Sequence, residues 1–191
     1  MGLLDKLSSL FRLKKREVKV LVVGLNNSGK STVLNHLKSD DDKITVEPTV
    51  GLNVENLNVC ISDNNVGFTA LDMSGQVRYR EVWEHYYSDC EGIIFVIDSS
   101  DRLRLAVVQE ELELLLQHPD TVGKRLPILF FANKMDARDA LSSVKIASAL
   151  NLHRIINKPW HICASNAVKG EGLDEGIEWL TQQICENIRK E

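Results

Sequence analysis

The sequence carries no excess of positive charge: Lys and Arg number 23 against 27 Asp and Glu, a formal net charge of −4. Nothing global draws a polyanion to it, so nucleic acid is not the expected partner. No run approaches the roughly 20 apolar residues that cross a bilayer. No CxxC spacing relates Cys60, Cys90, Cys163 and Cys185. They read as buried small hydrophobes in a reducing compartment, neither metal ligands nor disulfide partners. A secretory leader is missing as well, because LLDKLSSLFRLKKR puts its basic cluster after the apolar positions and carries Asp5 and Lys6 among them. The chain is expected on the cytosolic side of membranes. There is no internal repeat and no long low-complexity segment.

What is present suits one α/β domain: 191 residues, 43% of them hydrophobic, are enough for a core without crosslinks. EVKVLVVGL (Glu17 to Leu25) is a β-branched run ending in a tight glycine loop, and a helix can begin at Lys30. Acidic Ser39 to Lys43 reads as a surface loop, and Pro48 stops regular structure before Thr49. LNVENLNVCI from Leu52, a turn at Ser62 to Asn65, and VGFTALDM predict an antiparallel hairpin. GIIFVIDSS and LPILFFANK are continuous apolar runs, as in parallel strands covered on both faces. Leu105, Val108, Leu112, Leu115 and Leu116 fall at helical spacing, as do Leu173, Ile177, Leu180 and Ile184. The predicted fold is an open, doubly wound α/β domain whose binding edge lies at the ends of the strands.

Gly24 to Ser31, GLNNSGKS, matches GxxxxGK[ST] between a predicted strand and a predicted helix, the context this phosphate-loop (P-loop) pattern requires. Its backbone amides wrap phosphate at the positive end of the helix, Gly29 lets the chain pass close, Lys30 reaches the β and γ oxygens, and Ser31 ligands Mg²⁺. The expected phosphate contacts are Gly24, Leu25, Asn26, Asn27, Ser28, Gly29, Lys30, Ser31 and Thr32. Thr49 offers a second metal hydroxyl. Asp72, three residues before Gly75, completes a DxxG arrangement, with the carboxylate on a metal-bound water and the Gly75 amide at the γ-phosphate. Gln76 then stands where it can orient an attacking water.

Asn133-Lys134-Met135-Asp136 follows an apolar strand. Asp136 can accept from both the N1 and N2 donors of guanine, a pair adenine does not have. Asn133 is expected to tie this loop to the phosphate loop, and the Lys134 stem to lie over the base. Cys163-Ala164-Ser165 ends the next strand and supplies the Ala164 amide to guanine O6. The expected ligands are GTP or GDP with Mg²⁺.

GLNNSGKS, PTVGLNVE, LDMSGQ, WEHYY, NKMD and CAS…KGEGL together resemble the Arf-like small GTPases over essentially the whole chain. MGLLDKLSSL, DMSGQVRYR, FVIDSSDRLR, ILFFANKMD and CASNAVKGEGL are similar to the ciliary, Bardet-Biedl syndrome-associated branch. The resemblance implies a P-loop small GTPase fold, with a mostly parallel six-stranded sheet and one antiparallel edge hairpin. It implies a GTP-dependent recruiter of a cargo-adaptor coat to the ciliary membrane, served by an exchange factor and an activating protein. It also places a partner-binding apolar triad on Leu52, Leu71 and Tyr86. The first two are aromatic in typical Arf proteins, which weakens transfer of general Arf effectors. Asn26 replaces the family's usual Asp, and Ser74 the first glycine of DxGGQ.

Leu3, Leu4, Leu7, Leu10 and Phe11 follow helical spacing ahead of Arg12, Lys14, Lys15, Arg16 and Lys19. Residues 1–16 therefore read as an amphipathic helix and basic linker before a GTPase domain at 17–191. Such a helix can lie in an anionic membrane surface or pack on the protein's own core. Gly2 suits a myristoyl group, but Lys6 departs from the lipidation pattern, and the last residues offer no prenylation cysteine. By family resemblance, the hairpin from Leu52 to Leu71 shifts register with GTP and releases this helix. A monomeric switch with slow hydrolysis is the leading expectation. A GTP-binding scaffold with negligible hydrolysis is the alternative. A P-loop kinase is opposed by NKMD and the lack of an Arg-rich lid, a dinucleotide oxidoreductase by the lack of GxGxxG.

Overall fold

The computed structural model describes residues 17–38, 52–61 and 64–190, with the backbone alone at 54–61 and 64–68. Its strands are β1 (Glu17–Val23), β2 (Leu52–Ile61), β3 (Asn64–Met73), β4 (Gly92–Asp98), β5 (Ile128–Asn133) and β6 (Trp160–Ala164). The helices are α1 (Lys30–Leu37), α2 (Leu105–Gln117), the single turn α3 (Pro119–Val122), α4 (Ser143–Ala149) and α5 (Leu173–Ile188), and a 3₁₀ run covers Val77–Tyr86.

The six strands form one sheet in the order β2-β3-β1-β4-β5-β6. All neighbours are parallel except β2 and β3, whose antiparallel ladder runs from Leu52↔Met73 to Ile61↔Asn64. This is the expected fold. The hairpin differs in one detail, because β3 already begins at Asn64, where a turn through Asn65 was expected. The ladder closes as far as Asn64, so only positions 62 and 63, outside the described residues, separate the strands.

Every residue of β5 is buried, as the unbroken run ILFFAN demands of a central strand. Alternation along the strands then splits the apolar side chains between two layers. On one face Leu21, Val23, Phe95, Ile97 and Phe130 meet α2 through Val108, Leu112 and Leu115, with Trp83 buried edge-on against Phe95. On the other, Val20, Val22, Ile94, Val96, Leu129 and Phe131 meet Val33 and Leu34 of α1 and Leu173, Ile177, Leu180 and Ile184 of α5. Burying each such side chain contributes about 1.5–3 kcal/mol, so the sheet is gripped from both sides. Leu105 and Leu116, on the same stripe of α2, are only partly covered. Cys90 and Cys163 are buried and Cys185 is half-buried, all as free thiols. Among the described residues no helix is long and apolar enough to cross a membrane. Leu3, Leu4, Leu7, Leu10, Phe11, the Ser39 to Lys43 segment, Pro48 and Thr49 lie outside the described residues.

Candidate functional site

The loops that follow β1, β3, β4, β5 and β6 meet at one edge of the sheet, with β1 at its centre. There the Gly24 to Ser31 segment turns from β1 into α1. Asn27 (φ 63) and Gly29 (φ 97) adopt left-handed backbone, which coils the loop into a nest of amides at the helix start. Lys30 lies 6% exposed and its Nζ donates to the Leu25 carbonyl at 3.1 Å, so the ammonium arches over the loop. Burial lowers its pKa to about 8 against the opposing pull of Asp72, with Arg80 and Arg104 lowering it further. Next to it the Ser31 hydroxyl donates to Asp72 Oδ2 at 2.6 Å, and Asp72 is fully buried. A hydroxyl and a carboxylate converging at a helix start are hard oxygen donors, the set that suits Mg²⁺. Thr32 stands half-buried behind them in α1.

Gly75 closes against this loop. Its carbonyl accepts from the Asn26 amide at 3.0 Å and from Arg80 Nε at 3.2 Å. A Cβ on Gly75 would lie 2.3 Å from the Asn26 nitrogen, so only glycine allows the approach. Arg80 also meets Glu111 of α2 at 2.9 Å, the side chains being 11% and 16% exposed. Ser74, in place of a glycine, is buried. Its hydroxyl accepts from the Gln76 amide at 3.4 Å and its carbonyl from the Trp83 indole at 3.1 Å. Gln76, half-buried, begins the 3₁₀ run.

At the other end, Asn133 joins three loops. Its Nδ2 donates to the Ser28 carbonyl at 2.9 Å, and its Oδ1 accepts from the Ala167 amide at 3.0 Å and the Ser165 hydroxyl at 3.3 Å. Main-chain bonds from Ser165 to Ala132 at 2.9 Å and from Met135 to Ser165 at 3.1 Å continue the seam. Lys134 (φ 63) turns its amine to Asp98 Oδ2 at 2.7 Å. Burial pushes the Asp98 carboxyl up, but Lys134, the Ser100 hydroxyl and the Ser100 amide together hold it below its ordinary value. Asp136 and Ala164 are exposed at the edge, while Cys163 and Ser165 are buried beneath it. Gly172 (φ +74) passes so close to Ala164 that a Cβ would fall 2.0 Å from its carbonyl oxygen.

The structure thus brings Gly24 through Ser31, Asp72, Gly75, Gln76, Asn133, Lys134, Asp136 and Ala164 to one edge. Leu52 and Tyr86 pack, partly buried, on the core cluster that contains Leu71, which is only 6% exposed. Three participants were not foreseen. Asp98 fixes Lys134, Arg80 braces Gly75, and Arg104 Nη1 donates to Asn26 at Oδ1 (2.8 Å) and at the carbonyl (3.2 Å) while its Nε meets Asp101. A strand-ending Asp98 at the binding edge was a usable signal. No spacing rule links Arg104 to a loop 78 residues away.

A sequence profile of the ADP-ribosylation factor family matches residues 3–184. ADP-ribosylation factor-like protein 6 from Danio rerio is 56% identical over 96% of this chain and 97% of the relative. The protein of the same name from Caenorhabditis elegans is 43% identical over 96% of this chain and 95% of its own. Among solved structures, the Arl6 BBS3 small GTPase from Trypanosoma brucei, with the bound nucleotide analogue GppNp, superposes with a TM-score of 0.82 at 40% identity. It covers 89% of this chain and 98% of that one.

Proposed function

We propose, from the premise that this chain belongs to the ADP-ribosylation factor family of small GTPases, how its own residues carry the nucleotide-dependent switch. The protein is a GTPase that binds guanine nucleotide. In the proposed assignment, Gly24 through Thr32 cradle the phosphates, with Lys30 on their oxygens. Asn133, Lys134, Asp136, Cys163, Ala164 and Ser165 form the base site. Asp136 selects guanine by accepting from two donors, and the Ala164 amide donates to O6. Ser31 and Thr49, with Asp72 through water, hold Mg²⁺, which when bound neutralises charge on the phosphates.

Gln76 orients the attacking water in this reading, and the Gly75 amide senses the terminal phosphate. To bring that amide to the phosphate, the Gly75 segment gives up the one bond its carbonyl accepts from the Asn26 amide, which makes it the sensing element. Arg80 and Arg104 are both engaged with carboxylates and loop carbonyls. Turnover is therefore slow until an activating protein adds or organises positive charge. The observation that most supports the reading is the Asn133 carboxamide, which ties the phosphate loop to both base loops through bonds of 2.9, 3.0 and 3.3 Å.

The finer biology follows the relatives. Residues 1–16 act as an amphipathic membrane element, 17–191 as the switch domain. The GTP form presents Leu52, Leu71 and Tyr86 to an effector coat at the cytosolic face of the ciliary membrane. Its name-bearing relatives and the resemblance to the ciliary branch support this. Single-turnover phosphate release tests the chemistry: the Gln76→Leu variant is expected to lose extract-stimulated hydrolysis while keeping Mg²⁺-dependent GTP binding. Unchanged hydrolysis in that variant would remove Gln76 from the mechanism. Liposome partitioning that is equal with GDP and with a non-hydrolysable GTP analogue would remove the membrane switch.

A further inference from the structure

β6 and α5 assemble a second chemical cluster, which shares Cys163 with the proposed base site. His161 and Cys163 are two residues apart on a strand and so share one face. Glu175, in the first turn of α5, reaches across to them. Their imidazole, thiol and carboxylate ligand atoms all lie within 4.8 Å of one another, the imidazole Nε2 and Glu175 Oε1 being 3.9 Å apart. Cys163 is buried at the base of the cluster, whereas the side chains of His161 and Glu175 are 37% and 77% exposed, leaving one open side. The His161 ring also rests against Trp179, with centroids 5.4 Å apart.

We propose that His161, Cys163 and Glu175 form a three-ligand site for a borderline-soft divalent cation of the Zn²⁺ class, with water in the fourth position. One nitrogen, one sulfur and one oxygen donor are the mixture such an ion prefers, whereas Mg²⁺ and Ca²⁺ prefer oxygen alone. Bonds of about 2.0–2.3 Å place tetrahedral ligands roughly 3.3–3.8 Å apart, so the present spread closes by about 1 Å. The exposed Glu175 side chain has the freedom to make that move. Binding releases the Cys163 proton to solvent and forms a metal–thiolate bond, with no change of oxidation state. Burial first, and Glu175 second, raise the free thiol to about 11, so without a cation it stays protonated and unreactive.

The test uses the full chain loaded with GDP in excess Mg²⁺, so that the nucleotide's own oxygen-ligand cation is already in place. Titration with Co²⁺ is expected to saturate at a single equivalent, with a sulfur-to-cobalt charge-transfer band and quenched Trp179 fluorescence, both reversed by Zn²⁺. Cys163→Ser should abolish the sulfur band. His161→Ala and Glu175→Gln should each weaken binding by more than about tenfold, the least that loss of even a supporting group costs a metal site. Glu175→Gln changes an exposed residue and keeps the test decisive should Cys163→Ser fail to fold. Cobalt uptake without a sulfur band, a band that survives in Cys163→Ser, or equal binding by both other variants would overturn the site.

Discussion

The two ends of the candidate nucleotide site are built differently. At the base end, Asn133 alone makes three bonds that join its own loop to two others, and main-chain bonds from Ser165 to Ala132 and from Met135 to Ser165 repeat the connection. At the Gly75 end, one carbonyl, that of Gly75, meets the Asn26 amide and the Arg80 guanidinium. Redundant bonds preorganise a surface before any ligand arrives. Gly75 itself touches the phosphate loop through one main-chain bond, and a ligand that offers better partners can displace it, because a ligand shifts an equilibrium only by its differential affinity. The base end is thus suited to recognition and the Gly75 end to switching.

The strongest way to break this contrast is to remove the seam. Asn133→Ala leaves the Ser28 carbonyl and the Ala167 amide buried without their partner, at about 1–3 kcal/mol each. A lowered Tm and GDP release faster by about a hundredfold are expected in thermal melts and fluorescent-nucleotide chase. Release within about twofold of wild type would show that the seam does not organise the site.

Arg80→Ala attacks the other end. It leaves Glu111 largely buried without its cation, which costs about 2 kcal/mol after allowance for the remaining exposure. Stability should fall while guanine specificity holds. A double-mutant cycle with Glu111→Gln should show coupling of about 1–2 kcal/mol. Simple additivity would mean the pair does not brace Gly75.

Asp136→Asn sharpens the comparison from the base side. The residue is exposed at the edge of the fold, so Tm of the nucleotide-free balance should barely move. Losing one of two acceptors should cost GDP about 1–3 kcal/mol of affinity. The amide should in turn favour xanthosine diphosphate, whose C2 carbonyl can accept from it. Competition between the two nucleotides measures this, and an unaltered preference would place guanine recognition elsewhere.

These contrasts were unevenly legible in the sequence. Strands β4 and β5 announced themselves as unbroken apolar runs because both faces are covered, and Asn133 was expected to tie the base loop to the phosphate loop because both lie at strand ends on one edge. The 3₁₀ run over Val77–Tyr86 was not expected, since its order comes from Trp83 bonded to Ser74 and buried against Phe95, not from helical periodicity. Lys134 was placed over the base. The fold additionally ties its amine to Asp98, a charge pairing that no local spacing reveals. Cys163 was expected to be a core hydrophobe, and it is buried. Its neighbours His161 and Glu175 come together only when α5 packs on β6.

The smallest effect concerns the contact between the neutral Asn26 amide and the Arg104 guanidinium, which joins the phosphate loop to the start of α2. The amide oxygen accepts from the guanidinium at 2.8 Å, but Asn26 is exposed and Arg104 is 32% exposed, so the bond contributes little. Asn26→Asp keeps the geometry and adds a charge, which should stabilise the protein by about 0.2–1 kcal/mol, the range of exposed ion pairs. Because that gain is Coulombic and solvent-facing, it should shrink in about 1 M salt, where the screening length falls to roughly 3 Å. The wild-type bond should show no such dependence. Melts of wild type, Asn26→Asp, Arg104→Ala and the double variant at low and high salt measure the difference. A gain that persists in high salt, or in the absence of Arg104, would mean that residue 26 acts through the loop's backbone and not through the guanidinium.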